Sequence, residues 1–390
     1  MELLKKICDV GRGHPTYPKL DQITIFRDYF IDGELKTEEL DFRDGNCTRK
    51  EIITRFLLLS VVLDQGPDIK GVRDLVISVI NHLYEREIRI LHQPLLFFKE
   101  LGISIDEILD SHARIKDLHS KRWAEENQSK ADRYLLFMDN SKQVLNYAIF
   151  RWGVPLALIM YLDKKNEKEE NAPTVLFRYL TGYPSAEVMS NELKDNDRFG
   201  LGKAIGDKAC HLFAKWLVSS FQLYNTGKNW SDLSYEVPYD SNAGRVLWRT
   251  GYLLKLASLD DYKKWQVVNP GEGKSGKAYI RVTNMRGKSV TKYDLISTDV
   301  QDAYIDICVN YLCTHKRKPT TYEIQRLQHA FLHDLDDDNY KSAADFDEGL
   351  IHIGTTYCYN HDTPKCAACP LNSVCEGYLT NKALIDDYRT

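Results

Sequence analysis

Four of the nine cysteines crowd into eighteen residues near the end of this 390-residue chain, as Cys358-Tyr-Asn-His-Asp-Thr-Pro-Lys-Cys366-Ala-Ala-Cys369-Pro-Leu-Asn-Ser-Val-Cys375. Thiolate is a soft anionic ligand, and four on one short loop can surround a cuboidal cluster, one for each iron. The same four would also suit a tetrahedral zinc ion. Zinc knuckles usually pair two short C-x2-C units. The spacing here, C-x7-C-x2-C-x5-C, holds only one, and so predicts a [4Fe–4S] cluster over zinc. Pro370 fixes φ and removes a donor where the chain must wrap tightly. With every ligand position filled, a group held this way is structural. The other five cysteines (Cys8, Cys47, Cys210, Cys308, Cys313) are scattered and read as small buried apolar residues.

Three further segments hold residues fit for chemistry. Around residues 189–216, a helical pattern runs into a glycine-rich turn and out into a second helix. Such a turn presents backbone N–H groups at a helix N-terminus, which suits a phosphate. Lys208 opens the second helix. Downstream, Val237-Pro-Tyr-Asp240-Ser-Asn-Ala-Gly-Arg245-Val-Leu-Trp-Arg249 sets an acid before a helix carrying two arginines; an Asp in that place is also the ordinary N-cap. Residues 262–293 carry eight Lys or Arg against one acid, Glu272, as either a solvated loop or a phosphate-contacting surface.

The elements that must position these residues are mostly helical. Residues 51–63 are apolar nearly all round and predict a central buried helix, and an amphipathic segment follows over 71–84. Helical patterns cover about 91–101, 104–117, 128–137, 141–150, 154–162, 174–181, 185–194 and 207–221, and later 298–313, 320–334 and 345–354. Residues 265–292 break the trend with two short strands around Gly-rich turns, a β-hairpin. Composition is that of a globular protein, 43% hydrophobic and 28% charged. There is neither a secretory leader pattern nor a run of about 20 apolar residues. The expectation is a cytoplasmic, nucleoid-associated or nuclear protein. The net charge of −4 argues against a nucleic-acid partner, so any such contact must rest on local charge.

Taken in order, these segments resemble the helix-hairpin-helix DNA glycosylases that carry an iron–sulfur loop, the endonuclease III and MutY type. The cysteine spacing is similar to theirs but one residue longer in its first gap. Phe346-Asp-Glu-Gly-Leu-Ile-His-Ile-Gly-Thr-Thr-Tyr-Cys358 looks like the helix leading into their loop. The hairpin fits their pattern in two registers. Gly200-Leu201-Gly202 supplies the G-h-G and puts Ala204 in the lysine slot. Ala204-Ile205-Gly206-Asp207-Lys208, the preferred register, puts Lys208 there. The Asp240 segment looks like their V-D-T-H-x-x-R-V-x-x-R, with Ser-Asn for Thr-His and an insertion around 224–234. Leu59-Ser-Val-Val-Leu-Asp-Gln65-Gly-Pro-Asp68 resembles L-L-S-x-Q-x-T-D with the glutamine displaced.

The resemblance implies a mainly α, two-lobed fold with a small β insertion: a segment 1–50 packing on the cluster lobe, a helical barrel over 51–235 with the hairpin at 198–208, and a cluster domain over 236–390. It implies a base-excision enzyme acting as a monomer on duplex DNA with a damaged or modified base. The base is flipped from the stack and its N-glycosidic bond is cut. Asp240 would stabilise the charge that develops on the sugar. Lys208 would attack C1′ and add AP lyase activity; with Ala204 in its slot, water attacks instead. Gln65, Gly200, Gly202, Gly206, Arg245, Lys274, Lys277, Arg281 and Arg286 would contact DNA, and Cys358, Cys366, Cys369 and Cys375 would hold the cluster. Adenine removal is disfavoured, since no Glu stands shortly before Gln65. Two other readings stay open: a catalytically silent DNA-binding iron–sulfur module, and an RNA- or nucleotide-processing enzyme on the same scaffold.

Overall fold

The computed structural model describes residues 1–64, 69–100, 142–166, 175–196, 200–202, 204–250, 271–272, 278–283, 289–294, 332–333, 335–358, 364–375 and 378–379. They are mainly helical. The helices are α1 (Glu2–Gly13), α2 (Arg49–Leu63), α3 (Ile69–Glu85), α4 (Pro94–Glu100), α5 (Lys142–Asn166), α6 (Val175–Thr181), α7 (Ala186–Asp195), α8 (Asp207–Lys215), α9 (Ser241–Arg249) and α10 (Ala343–Thr356). The helical patterns read at 104–117, 128–137 and 298–313 lie outside the described residues.

The chain divides into two compact units, Thr16–Tyr235 and Met1–Pro15 with Glu236–Thr390. The segment expected as one piece over 1–50 is therefore split after Pro15. Thr16 onward belongs with the larger helical set, because Ile23, Phe26 and Tyr29 are wholly buried and Phe26 meets Phe56 of α2 edge to face.

In the Thr16–Tyr235 unit, α2 is the central element. Thr48 caps its N-terminus and nearly every residue to Val62 is buried, the charged Arg49, Glu51 and Arg55 among them. Glu51 Oε1 accepts from Arg55 Nε at 2.7 Å, and its carboxylate also receives the backbone N–H groups of Leu176 (3.0 Å) and Phe177 (2.8 Å) at the start of α6. Arg55 reaches on to Asp163 at 2.8 Å and the Leu91 carbonyl at 3.1 Å. Buried charges persist only when paired in this way.

Helix α5 corrects a sequence expectation: 141–150 and 154–162 form one helix with Pro155 inside it. Proline forfeits one backbone hydrogen bond, but Trp152, Val154 and Leu156–Ile159 are buried on all sides, and Trp152 Nε1 donates to the Leu59 carbonyl at 3.0 Å. Tertiary burial outweighs the local break. The pattern over 207–221 ends as a helix at Lys215 and continues as a π-turn over Trp216–Ser220. A two-residue hairpin joins β1 (Phe30–Ile31) to β2 (Glu34–Leu35), with Asp32 and Gly33 both at positive φ as a type I′ turn requires.

In the other unit, α1 lies across α10 at a pair of glycines. A Cβ on Gly11 would overlap the Asp345 carbonyl oxygen, and one on Gly349 would overlap that of Ile7. An Arg12–Asp345 ion pair (2.8 Å) and stacked His14 and His352 rings (3.6 Å) close the seam. The β insertion holds three antiparallel strands in the order β3 (Gly271–Glu272), β4 (Ala278–Thr283), β5 (Ser289–Asp294), with an irregularity between Val282 and Thr283. No helix among the described residues is long and apolar enough to cross a membrane.

Candidate functional site

The hairpin begins where Ser185 caps α7, its Oγ accepting from Val188 N at 3.2 Å. After α7 the chain folds back on the helix end. Gly200 N donates to Asn196 O (2.8 Å) and Leu201 N to Leu193 O (2.8 Å). A Cβ on Gly200 would stand 2.5 Å from Asn196 O and 2.6 Å from Lys194 O, and one on Gly202 would stand 2.8 Å from Lys194 O. Both positions therefore demand glycine for close approach. Gly206, the N-cap of α8, has open space where its Cβ would lie. Ala204 and Ile205 are buried in the turn.

Lys208 stands on the first turn of α8, mostly buried, with Nζ 3.7 Å from Oδ1 of Asp64. Asp64 closes α2 and is 1% exposed. Arg73 of α3 grips its other oxygen from Nε (3.0 Å) and Nη2 (2.6 Å), while the guanidinium lies 5.1 Å over the Trp216 ring. Burial alone would raise the Asp64 pKa, but the charges of Lys208, Arg73 and Lys215 outweigh it and hold the carboxyl below its ordinary value. Asp64 and Arg73 were not singled out from the sequence. Their nine-residue separation gives no periodic signal.

Asp240 belongs to the other unit. Asp240 Oδ1 accepts from Asn242 N (2.8 Å) and Ala243 N (2.9 Å), so the acid is the N-cap of α9. Arg245, expected at a DNA phosphate, makes its described hydrogen bonds within its own unit. Its Nε donates to the Cys358 carbonyl, and its Nη2 donates to Gly354 O (2.7 Å) and Asn242 Oδ1 (2.6 Å). The apposition is tight, since a Cβ on Gly354 would stand 2.9 Å from that of Asn242. One turn further on, Arg249 Nη1 donates to Cys358 Sγ at 3.3 Å, and its carbonyl accepts from Cys375 Sγ at 3.5 Å.

Helix α9 thus ends on the cysteine loop. Cys358, Cys366, Cys369 and Cys375 are unbridged thiols that line one pocket, walled by Val246, Ile353 and Leu371 among others. Among the described residues, no three His, Cys, Asp or Glu side chains converge on one ion-sized point. Burial, with the neighbouring Cys358, Cys375 and Cys366 thiols, pushes the Cys369 thiol up to about 12. Four soft donors lining one pocket suit a cationic group that would draw off their protons.

No family model, curated protein or solved structure matches this chain.

The remaining expectations divide by position. Gln65, Lys274, Lys277 and Arg286 lie outside the described residues. Arg281 is described through its backbone, on β4 opposite Lys292 of β5. Of the scattered cysteines, Cys8, Cys47 and Cys210 are buried, while Cys308 and Cys313 lie outside the described residues.

Proposed function

We propose that the chain is a DNA base-excision glycosylase with lysine-dependent AP lyase activity, whose cysteine loop holds a [4Fe–4S] cluster. The observation that carries this reading is the double use of α9. Asp240 caps its N-terminus, and Arg245 and Arg249 of the same helix hold Cys358. The candidate acid is thereby braced by the loop that would carry the cluster. A cluster requires one thiolate per iron, and the four thiols around a common pocket supply that set. Its contribution when bound would be structural, tying the loop to α9 and α10.

The chain's own residues then divide the work. The tight turn after α7 and the α8 N-terminus would receive a backbone phosphate of duplex DNA. Asp240 would stabilise positive charge on the sugar as the glycosidic bond breaks, and Lys208 would form the covalent sugar adduct. Phosphate contact by the basic segment, with Arg281 on its central strand, would offset the acidic net charge.

The deciding experiment is incubation of the purified protein with duplexes carrying a panel of damaged or modified bases, scoring base release and alkali-independent strand cleavage. Release of at least one base with cleavage supports the reading. Tight duplex binding with no release from any lesion would favour the silent module instead, and preference for RNA over duplex DNA would favour the RNA-processing class.

A further inference from the structure

We propose that Asp64 is the positioning residue for Lys208, a latch that keeps its amine charged and unreactive until substrate opens the pair. The inference rests on the lyase reading above and extends it with a control that the hairpin alone lacks. Its basis is one buried carboxylate shared by several cations. Asp64, at the end of α2, gives Oδ2 to Arg73 of α3 through two hydrogen bonds. Its Oδ1 accepts no hydrogen bond among the described residues and faces Lys208 Nζ at 3.7 Å. Lys215, also buried, lies two turns beyond Lys208 on α8, and its charge too bears on Asp64; buried His211 is on the same side of the helix. The π-turn begins at Trp216, whose buried Nε1 has no hydrogen-bond partner among the described residues and whose ring carries Arg73.

The covalent step defines what a latch must restrain. Lys208 must give up two of its three ammonium protons, one ending on the departing base and one on O4′ of the opened sugar. The pair freed by the first deprotonation forms the C1′–N bond, and the pair freed by the second forms the C1′=N π bond of the Schiff base. The glycosidic pair leaves with the base, and the C1′–O4′ pair moves onto O4′. An ammonium facing a buried carboxylate has no free lone pair, so the amine attacks only after that pairing is lost. Removing the carboxylate alone would leave Lys208 among Arg73 and Lys215, and like charges favour the neutral amine. Removing Arg73 would have the opposite effect, because Asp64 would then be shared by fewer cations.

The test compares wild type, Asp64→Asn and Arg73→Gln. Amines are pulse-acetylated from about pH 6 to about pH 11, and Lys208 is scored by mass spectrometry against exposed lysines. In parallel, the enzyme is trapped with borohydride on an abasic-site duplex over the same range. The Lys208 profile should move down by about one pH unit in Asp64→Asn, a tenfold change, and up in Arg73→Gln; trapping should follow it. Opposite shifts from two variants distinguish the latch from loss of fold, which exposes the amine in both. Acetylation profiles that stay put overturn the proposal even where trapping occurs. Shifted profiles with no trapping by wild type overturn the lyase reading and uphold Asp64 as the control of Lys208 reactivity.

Discussion

Arg249 donates from Nη1 to Sγ of Cys358 at 3.3 Å, so a cation from α9 sits directly on the first sulfur of the cysteine loop. Hydrogen bonds to ligand sulfurs help set the potential of an iron–sulfur cluster, since they stabilise the more negative, reduced state. Arg249→Met keeps much of the side-chain volume and removes the donor. The variant should retain about four irons per chain and the broad visible absorption of a brown protein, with a reduction potential more negative than wild type. Cys366→Ser should lose iron and weaken the unit that holds the loop. One zinc per chain with no iron, by elemental analysis of the wild type, would overturn the cluster assignment.

The hairpin glycines predict a stability pattern. Gly200→Ala and Gly202→Ala must push a methyl against the Lys194 carbonyl, and overpacking of this kind costs about 1–3 kcal/mol. Gly206 has room beside it and extended backbone (φ −101, ψ 177), so Gly206→Ser should gain a cap and stabilise by a few tenths of a kcal/mol. Chemical denaturation of the three variants checks the order. Equal effects at all three positions would mean that the turn is not held as described.

What was legible beforehand follows from how local each signal is. The cysteine loop, the starts of the helices read at 185–194 and 207–221 and the Asp240 cap each lie within a few residues of what they act on. The mainly helical class followed from periodicity in the same way. Longer-range pairings left no such trace. Arg55 is four residues from Glu51 but 108 from Asp163, and Arg73 meets Asp64 only because α3 returns beside the end of α2. Arg245 has the spacing of an outward arginine on α9, yet it turns in to two carbonyls on the far side of the β insertion in sequence. The split of residues 1–50 after Pro15 had no compositional signal, because the packing of Gly11 against α10 is written in two glycines more than 300 residues apart.

Acid should act on the Thr16–Tyr235 unit through Asp41. Burial by itself would raise the pKa of this carboxyl. His92 (Nε2 3.3 Å from Oδ2), the Arg43 guanidinium (2.8 and 2.9 Å), the Tyr29 hydroxyl and the Arg43 N–H (2.7 Å) outweigh it and hold the pKa below the ordinary carboxylate range. A depressed folded-state pKa contributes stability that is fully present above the unfolded value, about 3.9, and is lost as the pH falls through the folded one. Stability should therefore drop below about pH 4. Asp41→Asn should lower neutral-pH stability by about 3 kcal/mol and flatten that acid limb. Urea unfolding of both proteins across this range is the measurement, and an unchanged acid limb in the variant would remove Asp41 from the explanation.

The two roles of Asp240 can be separated by chemistry, because capping and catalysis need different things from one side chain. Capping needs an acceptor oxygen for Asn242 N and Ala243 N, and asparagine supplies one about as well as aspartate. Stabilising a developing cation needs the negative charge, which asparagine lacks. Asp240→Asn should keep the melting temperature and duplex affinity of wild type while cutting base release at least about a hundredfold, because the charge acts on a state that exists only in the transition. Asp240→Ala should show the same catalytic loss and, in addition, destabilise α9 by about 1 kcal/mol through the lost cap. Single-turnover release and thermal unfolding of both variants test this. Base release at the wild-type rate from Asp240→Asn, with destabilisation confined to Asp240→Ala, would leave Asp240 as a helix cap and move the search for the acid elsewhere.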